Sequence, residues 1–224
     1  MAVNAHRRAT PAAERGVARA LSGSEARLAA LRDQRVQEHA ALLRAARRVF
    51  LRRGYRQTRV EDVLHEAGIS TRAFYRFHAG KDELFLDLFA RANQAAMRRL
   101  RETVARHDDP LAQLDAYVEA TLDLAYEPRL RRETMLFANV PGELAERHAD
   151  EIAACREQLV GVLREIVERG RARGVFPAAD AEDDAWLVHG ALGAAMTRAL
   201  LPVPPPRARL ARGLHRFCRA ALGG

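Results

Sequence analysis

Cysteine is nearly missing from this 224-residue chain. Cys155 and Cys218 are the only two, and they form no CxxC pair. A disulfide framework and a cysteine-rich zinc site are thereby excluded, and the usage suits a reducing, cytoplasmic setting. No run of about 18 apolar residues is present to cross a membrane. The arginines near the start are followed by no apolar stretch of the kind a secretory signal needs. Strand signals are also lacking, because no alternating Val/Ile/Thr run stands between turn dipeptides. Catalytic signatures are missing too. His65-Glu66 has no second histidine at zincin spacing, no phosphate-cradling glycine loop leads into Gly80-Lys81, and there is no GxSxG. The eight histidines are scattered at 6, 39, 65, 78, 107, 148, 189 and 215. No cofactor, no metal and no enzymatic activity is expected from this pattern.

What is present is an ordinary globular composition, 48% hydrophobic and 29% charged, long enough to bury its own core. The formal charge of +8 is unevenly placed. Residues 1–90 hold 17 Lys+Arg against 10 Asp+Glu, whereas residues 91–224 hold 20 against 19. A basic N-terminal module facing a polyanion, followed by a near-neutral remainder, is the physical reading. Lys81 is the single lysine; every other basic residue is arginine.

Helical periodicity recurs from segment to segment, so the fold class is all-α. Residues 1–34, Ala/Arg-rich with a Ser22-Gly23-Ser24 break, are expected to be a flexible arm, partly helical after Ser24. Leu43, Ala46 and Phe50 mark a helix over 37–53 that Gly54 ends. Thr58 and Glu61 have the spacing of a capping box for a short helix through Ala67. Gly68 stops that helix, and Ser70 caps the next. Six more helices follow: from Lys81, from Pro110, from Pro128 to Val140, over 142–170, from Asp180 to about Leu201, and a last one after the Pro202–Pro206 connector. The expected organisation is therefore an arm (1–34), a helix-turn-helix domain (35–82) and a helical effector-binding and dimerisation domain (83–224).

The helix-turn-helix carries the chemistry. In the helix after Ser70, Phe74 and Phe77 face inward, while Thr71, Arg72, Tyr75 and Arg76 face outward. Arg72 and Arg76 lie one turn apart, and either can offer a guanidinium fork to guanine O6 and N7 in a major groove. Thr58, Arg59, Ser70, Tyr75 and Lys81 sit at helix starts or flanks, where hydroxyls, amides and cations suit phosphate oxygens.

The segments Leu42-Leu43-Arg44-Ala45-Ala46-Arg47-Arg48-Val49-Phe50, Gly54-Tyr55, Thr58, Ala67-Gly68-Ile69-Ser70, Phe74-Tyr75 and Lys81-Asp82-Glu83-Leu84 resemble the DNA-binding domain of TetR-type transcriptional regulators. The match covers residues 36–90. Phe77-His78 departs from the family's usual aromatic order, as does Arg59 from its usual hydroxyl residue. The resemblance implies a homodimer on a pseudo-palindromic double-stranded operator, repressing transcription until a small effector binds the C-terminal helices. Two other readings stand beside it: a helical ligand-binding or catalytic domain, and a constitutive DNA-binding protein without an effector.

Tyr117, Tyr126, Met135, Phe137, His148 and Trp186 are the candidate lining of an effector pocket, with a mainly apolar or aromatic occupant preferred. The small-residue stretch containing Gly190, Gly193 and Ala194, together with Leu210, Leu214 and Phe217 on the last helix, is the candidate dimer interface through a four-helix bundle.

Overall fold

The computed structural model describes the backbone of residues 11–138 and 142–223, and the side chains of 27–138, 142 and 144–223. Among the described residues ten helices follow one another: α1 (Pro11–Gln57), α2 (Val60–Ala67), α3 (Thr71–Tyr75), α4 (Lys81–Val104), α5 (Pro110–Tyr126), α6 (Pro128–Ala138), α7 (Gly142–Arg147), α8 (Ala149–Ala172), α9 (Ala181–Ala199) and α10 (Arg207–Ala221). No strand occurs among the described residues.

Three local expectations are corrected. First, α1 begins at Pro11 and runs through Ser22-Gly23-Ser24 without a break. Its Ala-, Arg- and Leu-rich surroundings have high helix propensity, and one interior glycine costs only about 1 kcal/mol. Leu28, Leu31 and Val36 on this stretch are exposed, on the helix expected after Ser24; the difference is that the helix already includes residues 11–23. The first ten residues of that arm lie outside the described residues. Gly54, at φ 73° and ψ 167°, does interrupt the helical geometry where expected.

Second, the cap sits one residue later than the spacing suggested, and only its acidic half is formed. Arg59, in extended conformation, precedes α2, and the Asp62 carboxylate accepts its backbone N–H at 3.0 Å. Thr58 is 1% exposed, and its hydroxyl donates to the Gly54 carbonyl at 2.8 Å. With Glu61 and Asp62 adjacent, either register is possible on propensity; the freed carbonyl at Gly54 decides between them.

Third, the helix expected over 142–170 is two helices, parted at His148 (φ −124°, ψ 35°). The connection at 139–141, including the expected helix end at Val140, lies outside the described residues.

Two apolar cores result. One joins Leu42, Ala46, Val49 and Phe50 of α1 to Val63, Phe74, Leu84, Phe85 and Leu88, with Leu144 of α7 added. The other joins Met97, Leu100 and Val104 of α4 to α5, α8, α9 and α10. Helix α4 is thus shared, one half in each core. Arg131 of α6 fastens the second core at its far end. Its guanidinium donates to the carbonyl of Ala125 (2.9 Å) near the end of α5 and to those of Ala199 (2.6 Å), Leu200 (3.3 Å) and Leu201 (3.1 Å) at the end of α9, where the helix leaves carbonyls unpaired.

Candidate functional site

The turn between α2 and α3 is built by Gly68, whose φ of 66° and ψ of 32° put it in the left-handed region that favours glycine. Its N–H bonds the Leu64 carbonyl at 2.9 Å. Ser70 then caps α3: its hydroxyl oxygen accepts from the Ala73 N–H at 3.2 Å. Ala73 and Phe74 face the core, while Thr71, Arg72, Tyr75 and Arg76 are exposed together. The outward face anticipated from the sequence is therefore present on one short helix.

The remaining DNA-binding candidates fare differently. Arg59 is exposed, but Thr58 is buried against Gly54 and faces away from solvent. Lys81 is partly buried; its ammonium donates to the Tyr55 carbonyl at 3.1 Å and sits 4.3 Å from the Tyr55 ring centroid. In this arrangement Lys81 closes the end of α1 onto the start of α4. Arg76 donates to the Glu38 carboxylate of α1 at 2.7 Å.

Arginines that the spacing did not single out brace the head. Arg48 and Arg52 bind Glu66 at 2.7 and 2.6 Å, and Arg53 binds Asp62 at 2.5 Å. The paired guanidiniums, Arg52 first, hold the Glu66 carboxyl down to about 2. These pairs span two helices and leave no trace in a single-helix pattern.

The six residues proposed to line a pocket are not brought together. Tyr117 alone lines the apolar cavity between α4, α5, α8 and α9, donating its hydroxyl to the Leu159 carbonyl at 3.2 Å. Tyr126 ties α5 to the proline connector through the Pro205 carbonyl at 2.6 Å. Phe137 packs on Phe85 and Phe89 near the head, and Met135 is exposed on α6. His148 precedes α8 and lies 3.3 Å from Glu151, while Trp186 is on the outer face of α9. The aromatics were dispersed by helix rotation, which their spacing along the chain does not reveal.

The cavity itself, about 210 Å³, is formed by helical stripes: Ala96 and Leu100 of α4, Tyr117, Ala120, Thr121 and Leu124 of α5, and His189, Leu192, Gly193 and Met196 of α9. Arg99 stands at its margin, paired with Glu127 at 3.2 Å. Burial, helped by the nearby Arg156 charge, pushes the His189 imidazole below its usual range, so it lines the cavity in neutral form. Stripes at i, i+3, i+4 and i+7 read equally well as solid core, which is why the sequence did not single them out.

Of the expected dimer residues, Gly190, Gly193, Ala194 and Phe217 are exposed and Leu210 is partly so. Leu214 is instead buried in the chain's own core, a correction that follows from the rotation of α10. Gly193 also belongs to the cavity wall. A further convergence was invisible in the scatter of histidines: the ligating atoms of His39, His78 and Asp87 lie within 4.8 Å of one another.

Comparison with known proteins fits this architecture. The family model described as bacterial regulatory proteins, tetR family, matches residues 42–88, and the one described as tetracyclin repressor-like, C-terminal domain, matches residues 107–197. The chain is 29% identical over 157 residues to the HTH-type transcriptional repressor NicS of Pseudomonas putida, covering 67% of this chain and 69% of that one. The regulator FadR of Bacillus subtilis, solved in complex with stearoyl-CoA, superposes with a TM-score of 0.67 at 15% identity, covering 82% of this chain and 98% of its own. A cysteine-substituted form of the TetR-family regulator CifR, solved with a 26-base-pair operator duplex, superposes with a TM-score of 0.63 at 23% identity, covering 80% of this chain and 94% of its own. With both halves matched, and the helix-turn-helix formed as its residues require, the chain belongs to the TetR family of DNA-binding transcriptional regulators.

Proposed function

We propose that this protein is a homodimeric repressor that holds an operator through Thr71, Arg72, Tyr75 and Arg76, and that a small apolar effector between α4, α5, α8 and α9 releases it. The observation that carries this reading is the placement of α4. Its Leu84, Phe85 and Leu88 belong to the core of the head, and its Ala96 and Leu100 line the cavity. A rigid helix shared by two cores passes displacement at one end to the other.

The cavity's size adds the driving force. At about 210 Å³ it is smaller than the roughly 300–1,000 Å³ of usual ligand sites. An occupant must therefore push α4 away from α9. Lys81 clasps the start of α4 to the end of α1, and Arg147 of α7 pairs with Asp82 at 2.9 Å, so the head follows. The lining favours an apolar body, and Arg99 at the margin favours an acidic or acceptor group at one end. The relatives support the two halves of this reading: CifR was solved on operator DNA and FadR with stearoyl-CoA.

Fluorescence anisotropy with the DNA upstream of the protein's own gene tests the reading. Saturable, sequence-selective binding by the purified chain is expected, weakened by a compound that also raises the melting temperature. Linkage requires the operator to weaken that compound by the same factor. Ala120→Leu, which fills the cavity, is expected to abolish the compound's effect while operator binding persists. A stabilising compound with no effect on operator affinity in the wild type overturns the release mechanism.

A further inference from the structure

His39 of α1, His78 in the turn after α3 and Asp87 of α4 converge from three separate elements. The Nε2 atoms of both histidines lie 3.2 Å from the same carboxylate oxygen, Oδ2 of Asp87. One of these contacts is a hydrogen bond, from His78. His39 Nε2, at the same distance from this oxygen, and His78 Nδ1 are both buried without a hydrogen-bond partner. Buried polar atoms are rarely left without a partner, so such an atom needs a reason.

A metal ion supplies that reason. Tetrahedral ligands bound about 2.0–2.2 Å from zinc sit roughly 3.3–3.6 Å from each other. Two of the three edges, each 3.2 Å, are close to that value, and all three ligating atoms lie within 4.8 Å of one another, so a small rotation of the rings would close the site. The ligand set is also suited in kind, because imidazole with a carboxylate selects borderline divalent ions. The groups are held in place. The His39 ring stacks on Phe77 with centroids 4.8 Å apart and planes at 13°. His78 is only 3% exposed. Arg91 binds the other Asp87 oxygen, Oδ1, at 2.7 Å and orients the carboxylate, as outer-shell partners of metal sites do. A groove of about 1,040 Å³, walled by Leu86, Ala90 and Cys155, opens beside the cluster and leaves room for a water as fourth ligand.

We propose that His39, His78 and Asp87 bind one divalent cation of the zinc type, with the fourth position open to this groove. The ion would join α1, the turn that ends the recognition helix, and α4. This site is separate from the apolar cavity and does not depend on how the effector acts.

Cobalt(II) is the probe, because its visible absorption reports coordination. Untagged full-length protein, stripped with chelator and dialysed, is titrated with cobalt and then with zinc. One cobalt per chain, with d–d bands that zinc abolishes, is expected. His39→Gln and Asp87→Asn are each expected to weaken cobalt binding roughly tenfold or more, at least the loss seen for outer-shell partners. His39 is partly exposed, so His39→Gln should fold normally, with circular dichroism and metal-free melting close to wild type. The control His148→Gln, in the same groove, should bind cobalt like the wild type. No saturable binding at one per chain, unchanged affinity in both His39→Gln and Asp87→Asn, or a loss confined to His148→Gln would each overturn the proposal.

Discussion

Arg76 at the end of α3 and Glu38 of α1 form an ion pair, with Nη2 2.7 Å from Oε2. The guanidinium that would read a base is thus already engaged, whereas Arg72 one turn earlier stands exposed on the same face. Arg76 must leave Glu38 to reach DNA, and both partners are partly exposed, so the cost is about 0.2–1 kcal/mol.

The two arginines should therefore respond differently. Arg72→Ala is expected to lose about 1–3 kcal/mol of operator binding and to relax base preference at one position. Glu38→Gln is expected to tighten binding slightly, most visibly at low salt. Anisotropy titrations across a set of single-base operator variants check both. Unchanged affinity and preference in Arg72→Ala would remove its base-reading role.

The dimer face should be tested at exposed positions. Leu187 of α9 and Phe217 of α10 are 65% and 51% exposed. Phe217→Glu and Leu187→Glu are expected to yield folded monomers that no longer hold a two-headed operator. Leu214→Glu is expected to unfold the C-terminal helices instead, since it places a charge in the chain's own core. Sedimentation velocity together with circular dichroism separates the two outcomes.

Gly170, near the end of α8, lies under the ring of Phe176. A Cβ built there would come within 1.9 Å of the ring. The Phe176 ring is fully buried. Gly170→Ala is expected to cost about 1–3 kcal/mol through overpacking, despite alanine's better helix propensity. Denaturant unfolding measures it, and a gain in stability would mean that the α8–α9 connection yields easily.

Acid stability should carry the mark of Glu66. Its folded-state value, held by Arg52 and Arg48, is about 2 against an ordinary 4.5. A lowered carboxyl value stabilises the fold above the ordinary value and loses that contribution as pH falls through the lowered one. Wild type is expected to exceed Glu66→Gln in stability at neutral pH, and the difference should vanish between pH 4.5 and about 2. Parallel unfolding curves for the two proteins across that range would sink the assignment.

The amino-acid sequence by itself determined the all-α class, the basic head, the left-handed turn at Gly68, the Ser70 cap and the outward set Thr71, Arg72, Tyr75 and Arg76. Each of these rests on neighbours within four or five residues, where propensity and periodicity act. Only the tertiary structure decided the rest. Rotation of whole helices sent Met135, Phe137 and Trp186 away from the cavity and turned Leu214 inward, and one-dimensional spacing carries no information on such rotation. The long α1 depended on propensity outweighing a single Gly23. Arg76 met Glu38, and His39 met His78 and Asp87, because side chains tens of residues apart are neighbours only after α1, α3 and α4 pack, and packing is settled by the shared apolar core.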